Sequence, residues 1–194
     1  MADYTSKQLE ETIQILTRMN EDQTLKETIN QAAQACIHAL KNGGKVLLAG
    51  NGGSAADAQH IAGELVARFA FDRPGLAAIA LTTDTSVITA IGNDYGFERL
   101  FARQIEALGV KGDIFIAYST SGSSPNIIAA LQEAQTRGIT TIGLTGNRKG
   151  TMCALCDILL EVPSNNTPKI QEGHLLIGHT ICGLVENGIF KQDV

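Results

Sequence analysis

The sequence predicts an α/β fold in which a five-stranded parallel sheet carries helices on both faces, with extra helices at both ends of the chain. Three observations lead there. Five short runs are almost wholly apolar: Lys45–Ala49 (KVLLA), Ala77–Leu81 (AAIAL), Ile114–Tyr118 (IFIAY), Thr140–Leu144 (TTIGL) and Ile158–Val162 (ILLEV). They lack the polar alternation of a half-solvated strand, as expected where both faces are covered. Helical spacing fills most of the intervals between them, so successive strands are joined by crossovers and run parallel. Finally, the first and third runs lead directly into Gly-rich or Ser-rich loops that open a helix.

Taken in chain order, Leu9, Ile13, Leu16 and Met19, then Leu25, Ile29, Ala32, Ala33, Cys36, Ile37 and Leu40, recur at helical spacing. They predict two helices over about residues 6–42, broken near Glu21–Thr24, and Asn42-Gly43-Gly44 ends the second. After the fifth strand, Leu175, Leu176, Ile177, Ile181, Leu184 and Val185 form the apolar stripe of a closing helix over about 170–187. No internal repeat or low-complexity linker interrupts the 194 residues, and one core suffices for that length, so a single domain spanning 1–194 is expected. In an open parallel sheet, ligands bind beyond the carboxyl ends of the strands where strand order reverses. The loops after Ala49 and Tyr118 are therefore the places to look.

Composition narrows the function. A net charge of −5 with no block of Lys or Arg argues against a nucleic-acid groove or an anionic membrane as partner. The N-terminus is polar, and no stretch approaches the roughly 18 apolar residues of a membrane span. A cytoplasmic protein with reduced Cys36, Cys153, Cys156 and Cys182 is expected. The lone C-x-x-C at Cys153 and Cys156 has no second pair to complete a zinc site, and is read as packing.

The chemistry-bearing residues fall in four places. Gly50–His60 (GNGGSAADAQH) leaves a strand and enters a helix, offering freed backbone N–H groups to an anion or hydroxyl. Ser119–Ser124 (STSGSS) does the same before Pro125, which suits the first helical turn. It contains no Lys or Arg, so a phosphate there would be held by hydroxyls, N–H groups and the positive helix end. His60 and Glu64, four apart on the helix after the first loop, have metal-ligand spacing. The closing helix offers Gln171, Glu172, His174 and His179; three of the four histidines thus fall in these two segments. Between them, Asn93 and Asp94 in Gly92–Glu98 (GNDYGFE) suit a turn or the holding of sugar hydroxyls, whereas Glu98 reads as a solvated carboxylate at a helix start.

The series GNGGSAADAQH with Glu64, NDYGF, STSGSS, and IQEGH with His179 resembles the phosphoheptose isomerases of the sugar isomerase (SIS) fold, over nearly the whole chain. The resemblance implies a three-layer, flavodoxin-like fold and a homotetramer with active sites between subunits. It implies substrate contacts from Asn51, Gly52, Gly53, Glu64, Asn93, Asp94, Ser119, Thr120, Ser121, Ser124 and Gln171. It further implies one zinc ion per subunit on His60, Glu64, Gln171 and His179, with Glu64 and His179 as acid/base pair. The implied reaction is conversion of sedoheptulose 7-phosphate to D-glycero-D-manno-heptose 7-phosphate through an enediol, for heptose precursors of surface polysaccharide.

A non-enzymatic role in the same fold is the alternative: a tetramer binding the bacterial replication initiator, or a sugar-phosphate sensor. The initiator-binding relative lacks the carboxylate at Glu64 and carries an Arg where Ser121 stands, although its tail resembles Gln192-Asp193-Val194. One geometric expectation follows from spacing. On a straight helix Gln171 and His179 are about 12 Å apart along the axis, too far for one zinc whose ligand atoms lie within about 4 Å of one another. Either the helix begins after Gln171, or the two reach a given metal from different subunits. The second arrangement is expected, and with it recovery of activity when Glu64→Gln and His179→Ala subunits are mixed.

Overall fold

The computed structural model describes residues 2–190. Two helices, α1 (Ala2–Glu21) and α2 (Gln23–Lys41), precede the sheet. They part at Asp22, whose side chain accepts the N–H of Leu25 and so caps α2. Then follow β1 (Val46–Ala49), α3 (Gly53–Val66), β2 (Ala78–Ala80), α4 (Thr85–Asp94), a 3₁₀ turn at Phe97–Arg99 and α5 (Leu100–Leu108). The chain continues through β3 (Ile114–Tyr118), α6 (Pro125–Thr136), β4 (Thr140–Gly146), a second 3₁₀ turn at Thr151–Ala154, β5 (Ile158–Val162) and α7 (Thr167–Phe190). The five strands are all parallel in the order 2-1-3-4-5, so strand order reverses at β1 and β3.

Two cores flank the sheet. On one face α1, α2, α3 and α7 bury Ile15, Ile29, Ile61, Ile177 and Val185 against Val46, Leu48, Ile116 and Leu144. On the other, α5 and α6 bury Phe101, Ile105, Ile127 and Leu131 against Leu47, Phe115 and Ala117, with α4 only partly packed through Ile88 and Ile91. Alternate residues of the same strands thus enter opposite cores, which is why the runs are continuously apolar. The start of α7 is fastened to α1 by the buried Lys169, whose Nζ donates to Thr12 Oγ1 (2.6 Å) and Glu172 Oε1 (3.0 Å).

Several boundaries differ from the sequence reading, among them the start of β1 at Val46, the end of β4 at Gly146 and the end of α7 at Phe190. The first helix begins at Ala2 rather than near Ser6, and β2 shrinks to three residues, as an edge strand with a single neighbour can. The closing helix begins at Thr167, so Gln171 lies inside it. The lead-in that would have freed Gln171 does not exist. The Gln192–Val194 tail lies outside the described residues.

Candidate active site

The loop after β1 turns sharply because glycines permit it. Gly52 has φ +56°, and a Cβ on Gly50 would stand 2.4 Å from the Ser54 carbonyl oxygen. Asn51 turns its side chain sideways and exchanges two amide hydrogen bonds with Asn126 of α6, 2.9 and 2.8 Å long. This pair ties the two ligand-like loops together. Gly53 faces α7: a Cβ there would stand 2.6 Å from Gln171 Oε1, so the glycine lets the carboxamide lie directly on the loop.

The loop after β3 is held by its own hydroxyls. Ser119 is buried, its Oγ lies 2.9 Å from Ser124 Oγ, and the Ser123 N–H donates to Ser121 Oγ at 3.2 Å. Gly122, at φ +66°, lies so close to the Lys149 carbonyl that no side chain could be accommodated. Ser124 is the N-cap residue of α6 and Pro125 begins the helix, so the positive end of α6 points at this loop. A cavity of about 50 Å³ beside it is lined by Thr120, Ser121, Arg148, Asn165, Thr167 and Ile170. The loop has no cation of its own, yet Arg148, from the segment after β4, reaches its cavity. A wider open groove of about 420 Å³, lined by Glu11, Arg18 and Asn166 among others, takes in none of the candidate residues.

Between α3 and α7, His60, Glu64 and His179 come together, with one ligand atom from each lying within 4.8 Å of the others. The two imidazole Nε2 atoms are 2.7 Å apart, and His60 Nε2 is 3.3 Å from Glu64 Oε1. Two neutral rings at that distance must share one proton, or both must turn lone pairs toward a cation. The Phe69 ring lies against His179, 5.7 Å between centroids. Three N and O donors drawn from two helices, His60 among them exposed, are of the kinds that bind zinc, and closing them on one ion needs only small side-chain shifts from this spacing.

Other candidates separate from this cluster. Glu172 is taken up by Lys169 and Thr12. His174 is fully buried, and its Nε2 is 3.2 Å from the Thr145 carbonyl, to which it must donate. Burial pushes its pKa down to about 4 against that hydrogen bond, so it is a neutral core group. Asn93 donates to Asp94 at 2.7 Å, both exposed at the end of α4, and Glu98 is exposed in the 3₁₀ turn. Asp57, one turn before His60, went unnoticed in the sequence. Its Oδ2 is buried without a partner, and burial raises its carboxyl to about 6 against the pull of His60. All four cysteines are free; Cys156 packs on Gly143, and burial pushes its thiol up to about 12.

Gln171 and His179 ride one unbroken helix, and His60, Glu64 and His179 meet within a single chain. This within-chain meeting runs against the expectation that mixed Glu64→Gln and His179→Ala subunits complement each other, because a site built within one chain would keep a defect in every subunit.

With this fold and site in view, the class is clear: the SIS domain family model matches residues 8–146. A phosphoheptose isomerase of Burkholderia pseudomallei is 64% identical over 190 residues, 98% of this chain and 96% of that protein. One from Aneurinibacillus thermoaerophilus is 56% identical over 99% of this chain and 97% of its own. The structure of phosphoheptose isomerase GmhA from Neisseria gonorrhoeae superposes with a TM-score of 0.90 at 42% identity, covering 96% of this chain and 98% of that one. The chain belongs to the phosphoheptose isomerase family. Among the described residues, no helix is long and apolar enough to cross a membrane.

Proposed function

We propose that this protein is an aldose–ketose isomerase that converts sedoheptulose 7-phosphate to D-glycero-D-manno-heptose 7-phosphate, supplying heptose for surface-polysaccharide precursors. The observation that carries the reading is the meeting of His60, Glu64 and His179 in one chain, in a protein 64% identical to a phosphoheptose isomerase. The non-enzymatic alternative is not favoured, because Glu64, the carboxylate that its initiator-binding relative lacks, is part of the cluster.

In this reading Ser119, Thr120, Ser121 and Ser124 hold the phosphate with the N-terminal end of α6, and Arg148 adds a positive charge beside them. Asn51 offers its backbone, since its amide is engaged with Asn126. Gly52, Gly53, Asn93, Asp94 and Gln171 receive the sugar hydroxyls. Glu64 removes the proton from the carbon beside the carbonyl and returns it to the neighbouring carbon. His179 moves the proton between the two oxygens, so that the enediol forms and collapses without free charge. His60, Glu64 and His179 would hold zinc, which when bound supplies Lewis-acid polarisation of the carbonyl. Glu64 would serve that ion as ligand in one state and the substrate as base in another. Gln171, two turns from His179, would join the ligand set of a neighbouring subunit.

The proposed assembly is a cytoplasmic homotetramer. Supporting self-association are Leu9, Ile13, Tyr95 and Phe97, large apolar side chains 56–62% exposed in the single chain. The test is to mix zinc-replete protein with sedoheptulose 7-phosphate and follow the aldose product by NMR, with the mass measured by light scattering. No product under these conditions would overturn the enzymatic reading.

A further inference from the structure

The C-terminus of helix α3 is only partly closed by its own backbone, the Ala67 N–H donating to the Gly63 carbonyl at 2.9 Å. Its last turn has no basic residue, and Ala67, not Gly, follows it. The Leu76 N–H reaches the Leu65 carbonyl at 3.1 Å, and the remaining acceptor capacity at this end needs donors from elsewhere. Arg73 supplies them: Nη2 donates to the Glu64 carbonyl (2.8 Å), and Nη1 to those of Leu65 (2.7 Å) and Ala67 (3.2 Å). Its Nε donates to Glu186 Oε1 of α7 at 3.0 Å, in an ion pair whose side chains are 2% and 1% exposed. Glu186 in turn accepts the backbone N–H groups of Phe69 (2.9 Å) and Ala70 (2.7 Å). Burial alone would raise this carboxyl, but those donors and the guanidinium outweigh it and hold it below its ordinary value.

Both ends of the pair therefore reach the candidate site. Arg73 holds the backbone of Glu64 itself. Glu186 holds the backbone of Phe69, whose ring lies against His179 and over Gly183, where a Cβ would stand 3.3 Å from the ring. We infer that the Arg73–Glu186 pair is a positioning device for the reaction, locking the end of α3 to α7 so that Glu64 and His179 keep their mutual geometry. A purely stabilising role explains less. Buried ion pairs are commonly no better than apolar packing for stability, whereas fixing the groups that carry the chemistry needs directional bonds of this kind. For its kinetic consequence the inference rests on the proposed isomerase reading; its consequence for the His60–Glu64–His179 cluster does not.

The test uses Arg73→Lys and Glu186→Gln in the full chain, with folding checked by circular dichroism. Two readouts are taken: kcat with sedoheptulose 7-phosphate, and the affinity and absorption spectrum of Co²⁺ added to metal-stripped protein. Expected are roughly 10- to 100-fold losses in kcat and in Co²⁺ affinity, the size found when groups orienting a metal site are changed. Folded variants with wild-type kcat and wild-type Co²⁺ binding would overturn the inference. Should neither variant fold, Phe69→Leu takes over, because it leaves the ion pair intact. A roughly tenfold loss in kcat with an altered Co²⁺ spectrum is expected of it, and wild-type behaviour would overturn the link from Glu186 through Phe69 to His179 on which the inference rests. If wild-type protein turns over no sugar while the variants still weaken Co²⁺ binding, the functional reading fails and the positioning role stands.

Discussion

On one face of the sheet, α3 and α7 press Ile61, Leu65, Ile177 and Ile181 into the core beneath His60, Glu64 and His179. On the opposite face, α4 carries Asn93 and Asp94 without a single fully buried residue, and Tyr95 and Phe97 beside it are exposed. The contrast teaches where precision is needed. Groups that must meet within a few ångströms stand on helices anchored by fully buried residues, whereas groups assigned to sugar hydroxyls stand on a helix that the single chain holds only partly.

The largest effect should come from breaking the well-anchored side. Glu64→Gln keeps size and removes the basic oxygen, so kcat should fall by about 10²-fold or more, with little change in melting temperature because the side chain is partly solvated. Product NMR measures it, and activity within a few-fold of wild type would reject Glu64 as base. The same comparison predicts that hybrids of Glu64→Gln with His179→Ala subunits stay inactive, while Glu64→Gln with Gln171→Ala regains partial activity. Recovery in the first mixture would place Glu64 and His179 on different chains.

The core beneath that side should be acid-sensitive. His174 is neutral in the native state down to about 4, against an ordinary 6.5, because burial disfavours its cation. Between those values the unfolded chain takes a proton that the folded one refuses, so stability falls as pH drops through the window, by about 3 kcal/mol in all. Asp57 acts in the opposite sense. Its carboxyl is raised from 3.8 to about 6, so the folded state takes up the proton first and gains stability as pH falls through that range. Urea unfolding of His174→Phe and wild type at pH 7 and pH 5 separates the two. The variant should lose the His174 part of the acid slope, and an unchanged slope would refute the assignment.

A smaller effect is expected in the hydroxyl loop. In the proposed reading Ser119→Ala and Ser124→Ala each remove a hydrogen bond to the phosphate, worth roughly 1.5–3 kcal/mol, and should raise KM more than they lower kcat. Isothermal titration with the phosphorylated sugar checks this; undiminished affinity in both would make the loop a structural turn. The smallest effect belongs to the loosely held side. Asn93→Ala should shift unfolding stability by no more than about 0.5 kcal/mol, as for exposed positions in general, while weakening substrate binding. A clear drop in melting temperature would show α4 to be better anchored than its exposure implies.

The sequence by itself determined the layered parallel sheet, because continuous apolar runs and helical spacing are local periodicities that any observer of the chain can count. It also marked His60 with Glu64, the two loops and His179, since spacing on a helix and loops behind strands are equally local. Only the tertiary structure decided which neighbours these residues meet. It removed Glu172 and His174 from the candidate set by giving them Lys169 and Thr145 as partners. It also paired Asn51 with Asn126, brought Arg148 to the cavity beside Thr120 and Ser121, and joined Arg73 to Glu186. Asn51 and Asn126 are 75 positions apart, and Arg73 and Glu186 are 113 apart. Contacts over such separations arise from strand order and helix docking, which no local period encodes, so residues that only support the site left no mark in the sequence.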